Sequence, residues 1–233
     1  MAENLPDDCW MLIFDRLPYR SHQSPSLTCK RFLSLTNACR THLTIVNRFP
    51  NSTPINRFPN LVSIRIRHSL VDINPIITCI ATKYNLNLKA FEISRAFRAP
   101  LEGFKILGSR MKDLRVLNCS RFFTLLDIDL IAIANSMPCL EDLTISSLSY
   151  ATGQEVGVTD SGIEVLSSKL KGLRKIDISG NKFLTVNSLF ALSKNCVYLT
   201  DITAYNCRLL TPKGIRSVLH KSANLRSLSF GKL

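Results

Sequence analysis

Leu114-Arg115-Val116-Leu117-Asn118-Cys119, Leu140-Glu141-Asp142-Leu143-Thr144-Ile145, Leu173-Arg174-Lys175-Ile176-Asp177-Ile178 and Leu199-Thr200-Asp201-Ile202-Thr203-Ala204 spell one pattern four times. The pattern is apolar-x-x-apolar-x-apolar, and its opening leucines stand 26, 33 and 26 residues apart. Alternation at the end of each segment is the period-two mark of a strand with one buried face. A helical stretch follows, as in Ser161 to Leu170, where Ile163, Val165, Leu166 and Leu170 fall mostly on one helix face. One strand and one helix per fixed period predict a solenoid of class α/β, with parallel strands on the concave face and helices on the convex face. Working outward, Leu88 to Ile93 and Leu61 to Ile66 extend the series backwards, and Leu225 to Phe230 extends it forwards. The expected arc covers residues 61–233, about six units and a terminal strand.

Punctuation supports the same frame. Thr159, Thr185 and Thr211 stand before helical stretches, where threonine caps orphan N–H groups, and Pro212 takes a first helical position. The fourth unit is longer than its neighbours, and the excess near Ser149–Gly157 reads either as a binding edge offering Tyr150, Gln154 and Glu155 or as a tolerated surface loop. Residues 47–60 carry Pro50, Pro54 and Pro59 and read as a linker, with Phe49 and Phe58 placed to cap the first strand. The last unit ends after a strand, and an uncapped end predicts self-association.

The segment 1–46 has a different rhythm. Pro6 is suited to a first helical turn, and Asp7 and Asp8 complement the helix dipole. Cys9, Ile13 and Leu17 share a face, while Trp10 and Phe14 form an adjacent stripe. A second helix is expected from about Ser26 to Leu35. A short middle helix should begin at or after Ser24, because Pro25 disfavours helix at the residue before it. Helices this short have little core of their own, so a partner surface is plausible.

The bulk numbers exclude several classes. The chain has 233 residues and 45% apolar content, enough for a folded core. Its start has no signal-peptide pattern, and no uncharged apolar run reaches membrane length, which predicts a soluble cytoplasmic or nuclear protein with no membrane contact. Eight dispersed cysteines without a C-x-x-C pair read as small buried hydrophobes. No metal site or cofactor is expected, because His and Cys do not cluster at ligand spacing. Nor does a catalytic motif occur, so the chain is read as a non-enzyme.

The net charge is +13, and between Arg65 and Arg121 eleven Lys or Arg face four acidic residues. Such a field favours acidic partners. Strand positions directed away from the core include Arg65, Arg67, Glu92 and Asn118, with Arg95 and Arg121 just past the strands. A solvated face is the bland reading for any single arginine; several together point to a functional patch. Nucleic acid is the least favoured partner, because aromatics interleaved with the basic strand positions are lacking.

The repeats resemble cysteine-containing leucine-rich repeats, whose unit places Asn or Cys a few residues after the strand; Asn181 and Cys207 stand there. Ser69, Ala96, Phe122 and Leu148 replace that residue in other units. The first segment is similar to the F-box, through Leu5-Pro6, Ile13-Phe14-Asp15-Arg16-Leu17 and Cys29-Lys30-Arg31-Phe32, and through Leu33 to Ile45 to F-box proteins of plants that carry such repeats. The resemblance implies a substrate-recognition subunit of an SCF-type (Skp–cullin–F-box) ubiquitin ligase. Its F-box would dock a Skp-type adaptor, and through it cullin, using Leu5, Pro6, Ile13, Leu17, Leu27 and Cys29. Its arc would hold a protein substrate, for which Arg65, Arg67, Arg95, Asn118, Arg121 and Tyr150 are the candidates. The alternative is a scaffold binding acidic or phosphorylated partners without ligase coupling. Members of this architecture are longer, so a C-terminally truncated chain is expected.

Overall fold

The computed structural model describes residues 5–46, 55–67, 72–84, 86–148, 156–221 and 224–231. Eight strands form one parallel sheet in strict sequence order: β1 His42–Val46, β2 Ser63–Arg67, β3 Ala90–Ser94, β4 Val116–Phe122, β5 Asp142–Ser147, β6 Lys175–Asp177, β7 Asp201–Thr203 and β8 Ser227–Ser229. Register puts Ile64, Phe91, Leu117, Leu143, Ile176, Ile202 and Leu228 in one row across the sheet. Ile45, Ile66, Ile93, Cys119 and Ile145 form a second row. The repeating leucines close the same interior, with Leu61, Leu88, Leu114, Leu140, Leu173 and Leu199 buried and Leu225 partly so. Each fully buried leucine contributes about 1.5–3 kcal/mol relative to exposure, and together they build one continuous core from Ile45 to Val218.

Helices cover one side of this sheet. After three helices that precede the sheet, these are α4 Asn74–Lys83, α5 Leu101–Arg110, α6 Asp127–Ser136, α7 Asp160–Lys169, α8 Val186–Asn195 and α9 Pro212–Lys221, each packed on the next. Close approach depends on small residues. A Cβ on Gly108 of α5 would stand 2.0 Å from the Ser136 carbonyl oxygen of α6. A ladder of polar groups ties successive helix starts together. Asn74 Oδ1 accepts from Gly103 N at 2.8 Å. Asp127 Oδ1 and Oδ2 accept from Thr159 N and Oγ1 at 2.8 and 2.6 Å. Asp160 receives Thr185 N and Oγ1 in the same way. Thr159 therefore takes the expected N-cap position of α7 but turns its hydroxyl to the previous repeat rather than to its own helix. The predicted α/β solenoid of parallel strands backed by helices is the fold observed.

The N-terminal helices are α1 Asp7–Asp15, α2 Gln23–Ser26 and α3 Lys30–Ala38, with a 3-10 turn at Tyr19–His22. Three expectations need correction here. Helix α2 begins at Gln23 and includes both Ser24 and Pro25, because proline within a first turn removes an N–H that has no partner there. Helix α3 begins at Lys30, not near Ser26: Cys29 is its extended N-cap, and the thiol accepts from Phe32 N at 3.4 Å. The segment His42–Val46, read with the F-box-like part, is the first strand of the sheet and pairs with β2. Of the linker, residues 47–54 lie outside the described residues, Phe49 with them. Ile55 and Phe58 are buried in the common core.

Candidate functional site

Two surfaces carry the residues singled out from the sequence. The first is the helical head. Trp10 and Phe14 of α1 turn inward and pack with Phe32 of α3, at ring centroid distances of 4.6 to 5.7 Å. Aromatic packing of this kind fixes the crossing of the two helices. Arg31 then closes the open end: its Nε lies 2.7 Å from Asp7 Oδ1, and its Nη2 donates to the Leu5 carbonyl at 2.6 Å. At the other end His22 is buried, with Nε2 2.7 Å from the Phe14 carbonyl oxygen at the C-terminus of α1. With the aromatic stripe spent on this small core, the aliphatic stripe is left outside. Leu5, Ile13 and Leu27 are 40%, 42% and 80% exposed; Pro6 and Cys29 are exposed and Leu17 is half-buried. Leu27 stands between α2 and α3, so no helix buries it. An exposed apolar set on short helices is what a helix-in-groove partner engages.

The second surface is the helix-free side of the sheet and its rim. Register aligns Arg65, Glu92, Asn118, Thr144, Asp177 and Thr203. Arg65 is not a free cation there. Its Nε and Nη2 reach Glu92 Oε2 and Oε1 at 2.6 and 3.0 Å, a bidentate pair between neighbouring strands. The Glu92 hydrogen bonds hold the Arg65 guanidinium above its ordinary pKa, against the opposing pull of burial. Asn118 has its amide oxygen shielded from solvent, with no donor among the described residues. Beyond β4 the open face turns acidic. Asp142 aligns with Lys175 and Asp201, and Asp177 lies one row on. Burial raises the Asp142 pKa; Lys175 lowers it, and Asp201 and Asp177 raise it further.

The rim at the C-terminal ends of β2 to β4 is where unpaired positive charge collects. Arg67 ends β2, Arg95 follows β3, and Arg121 stands near the end of β4; all three are exposed. Among the described residues no carboxylate pairs with them. Arg95 and Arg121 also adopt the left-handed region, with φ of 62° and 58°. Gly180 and Asn206 do the same, with φ of 78° and 56°. All four stand seven residues after a repeat leucine; Ser147, the equivalent residue after Leu140, stays in its strand instead. Glycine meets the left-handed conformation without a Cβ, and asparagine is enriched there. For arginine it costs about 1–2 kcal/mol. Next to them, exposed Phe97 and half-buried Phe123 lie with ring centroids 6.3 Å apart. Arg98 places its guanidinium 5.9 Å from the Phe97 ring centre.

The sequence reading missed Phe97, Arg98 and Phe123. Phe97 and Phe123 stand 26 residues apart, one repeat, and that spacing was the available signal. Of the substrate candidates, the rim gathers Arg67, Arg95 and Arg121. Arg65 stands apart from that rim, in its ion pair with Glu92, because register sets a carboxylate beside it. Tyr150, with the rest of residues 149–155, lies outside the described residues.

The cysteines offer no reactive thiolate among the most buried ones. Burial pushes the Cys196 and Cys207 thiols up to about 11, and it raises Cys119 further. Cys207 Sγ is 3.3 Å from the Ile178 carbonyl oxygen, and Cys196 Sγ is 3.4 Å from that of Leu170; both bridge neighbouring repeats. Asn181 does the same job with more force: its Nδ2 donates to the Ile145 and Ile178 carbonyls at 2.9 and 2.8 Å. Among the described residues no three His, Cys, Asp or Glu side chains are grouped to hold a metal ion, and no helix is long and apolar enough to cross a membrane.

Residues 3–44 match the F-box domain family. No curated protein matches the chain. Among solved structures, the crystal structure of the Rad7 and Elc1 complex in yeast aligns over 97% of this chain and 88% of its own, at 12% identity and a TM-score of 0.29. At that score the likeness carries no structural inference. Fold and family match together define a parallel-strand repeat sheet preceded by an F-box-type helical head.

Proposed function

We propose that this chain is the substrate-recognition subunit of an SCF-type ubiquitin ligase, itself without catalytic residues. Its head docks a Skp-type adaptor, the adaptor links it to cullin, and the repeat sheet holds the protein to be ubiquitinated. The observation that supports this most directly is the exposed aliphatic set Leu5, Ile13 and Leu27 on a segment matching the F-box domain. Burying such side chains in a partner groove contributes roughly 25 cal/mol per Å² of apolar surface. The reading assigns Leu5, Pro6, Ile13, Leu27 and Cys29 to the adaptor surface, with Leu17 supporting it from below. Arg67, Arg95 and Arg121 are assigned to the substrate.

The test is co-elution with a Skp-type adaptor on gel filtration. The intact chain should form a 1:1 complex. Leu5→Ala combined with Ile13→Ala should abolish it at the cost of only a modest drop in melting temperature, since neither side chain is buried. An intact, folded chain that does not bind the adaptor would leave only a scaffold without ligase coupling.

A further inference from the structure

We propose that the rim formed by Arg67, Arg95, Arg98, Arg121, Phe97 and Phe123 is a docking site for a short acidic peptide segment carrying an aromatic or large apolar residue. This deepens the reading of the repeats as the substrate-holding part, and it moves the site from the open sheet face to the strand ends.

Three observations bear on it. The first is charge. Arg65 is neutralised by Glu92, and the later open face carries Asp142, Asp177 and Asp201. An anionic ligand is therefore drawn to the early rim and turned away from the later strands. Asp72, which lines the hollow beside Phe97, and Asp129 accept hydrogen bonds within the fold. Asp72 accepts from Asn74 N at 2.9 Å, and buried Asp129 accepts from Leu126 N at 2.8 Å. The rim spans three neighbouring strands, roughly 10 Å at the usual strand spacing, which suits a few residues of extended peptide.

The second is apolar exposure within that charge. Phe97 is 51% exposed and lies against Phe123, at the mouth of a hollow of about 310 Å³ lined by Asp72, Ile73, Asn74, Phe97, Arg98, Ala99 and Pro100. The platform is held in place by the backbone. Arg95 N donates to Ser120 O at 3.0 Å, Phe123 N to Ala96 O at 3.0 Å and Thr124 N to Phe97 O at 3.1 Å. The sheet ladder thus continues past the strands, and the rings and arginines are preorganised. A preordered surface loses less entropy on binding.

The third is residue choice. The left-handed position seven residues after a leucine holds glycine at 180 and asparagine at 206, yet arginine at 95 and 121. Stability alone would favour the smaller residues at both arginine positions. Strain of this kind is concentrated where a side chain serves recognition.

A peptide fits better than a nucleic acid. Phe97 is the one exposed ring among the described rim residues, with half-buried Phe123 beside it, whereas single-stranded nucleic acid stacks successive bases on several aromatic faces. A long phosphate backbone would also run into the acidic strands.

The probe is a short fluorescein-labelled peptide alternating glutamate with phenylalanine, read by anisotropy on the full chain. Comparison arms are a glutamine–phenylalanine peptide, a glutamate–serine peptide and oligothymidylate. The variant is Arg95→Asn with Arg121→Asn, which introduces the residue type already used at 206. It should melt at or above the wild-type temperature, so loss of fold does not confound the result. The glutamate–phenylalanine peptide should bind wild type most tightly, weaken with salt, and lose about tenfold or more in affinity in the variant. Phe97→Ser should remove its advantage over the glutamate–serine peptide. Unchanged binding in the double variant, no binding by folded wild type, or preference for oligothymidylate would each overturn the proposal. Adaptor co-elution reads the head independently, so failure here with an intact adaptor complex strikes the rim and not the ligase reading.

Discussion

Asp142 shows how a single carboxyl on a crowded sheet face acquires a pH signature. Burial raises its pKa, and Asp201 and Asp177 add to that shift, with only Lys175 opposing them. A carboxyl whose folded pKa exceeds its unfolded value binds its proton more readily in the native state, so stability falls as pH rises from the unfolded to the folded pKa. At neutral pH the charged form is fully a liability. Asp142→Asn should therefore raise the melting temperature at pH 7, and the gain should shrink as pH is lowered through the folded pKa toward the ordinary carboxylate value. Thermal melts of both proteins across that range test it; a gain that is constant with pH would show that Asp142 is not the titrating group. Arg65 illustrates the limit of residue-level reading. Its partner Glu92 lies 27 positions away, at a distance set by strand register and not by any local pattern. A basic residue on a strand's outer position looks the same in sequence whether it has no carboxylate partner among the described residues, as at Arg67, or is bound. The strained turn was more legible, because Gly180 and Asn206 already mark the position that Arg95 and Arg121 share.

At the scale of elements, the repeats are joined by the carboxylates that open one helix and receive the cap of the next. Asp127 accepts both the backbone N–H and the hydroxyl of Thr159, and Gly162 makes room, since a Cβ there would stand 2.2 Å from Asp127 Oδ1. Asp127→Ala leaves two donors without their acceptor at a half-buried site. The expected loss is about 1–3 kcal/mol, or about 2–4 °C per kcal/mol for a chain of this size. Amide exchange should rise first at the start of α7, around residues 159–163. Exchange that rises evenly over the whole chain, or a melt that does not shift, would remove the ladder from the account. This device was only half visible in the sequence. Threonines before helices announced where each helix starts, and Thr185 and Thr211 accept from N–H groups of their own helices, but the hydroxyls of Thr159 and Thr185 donate to a carboxylate of the preceding repeat. The strands were easier, because their apolar-x-apolar ends are a local consequence of having one buried face. The head was harder: Leu27 and Thr28 continue an apolar rhythm into Cys29, yet Cys29 caps the helix instead of extending it. A cap is a statement about backbone conformation, and periodicity cannot distinguish it from one more helical turn.

At the scale of the whole molecule, the sheet runs in strict sequence order and each helix packs on its sequence neighbours, so cohesion passes from unit to unit. In such a quasi-one-dimensional array, stability is close to a sum of unit terms and nearest-neighbour interface terms. Gly108 sits at one central interface, where α5 approaches α6 so closely that a Cβ would meet the Ser136 carbonyl at 2.0 Å. Gly108→Ala must push the two helices apart, because the obstacle is backbone and not the end of a flexible side chain. Overpacking typically costs about 1–3 kcal/mol, but the informative result is the shape of the transition. If neighbour coupling holds the arc together, weakening one joint should let the units on either side unfold separately. The urea transition should then broaden or split, and exchange protection should fall around α5 and α6 while the α8 and α9 units keep theirs. A single sharp transition, merely shifted to lower urea and identical by fluorescence and circular dichroism, would mean that cohesion is not carried joint by joint. The same decoupling bears on recognition. The arginine rim straddles that joint, with Arg67 and Arg95 before it and Arg121 after it, so the variant should keep adaptor binding but bind the acidic peptide more weakly than wild type.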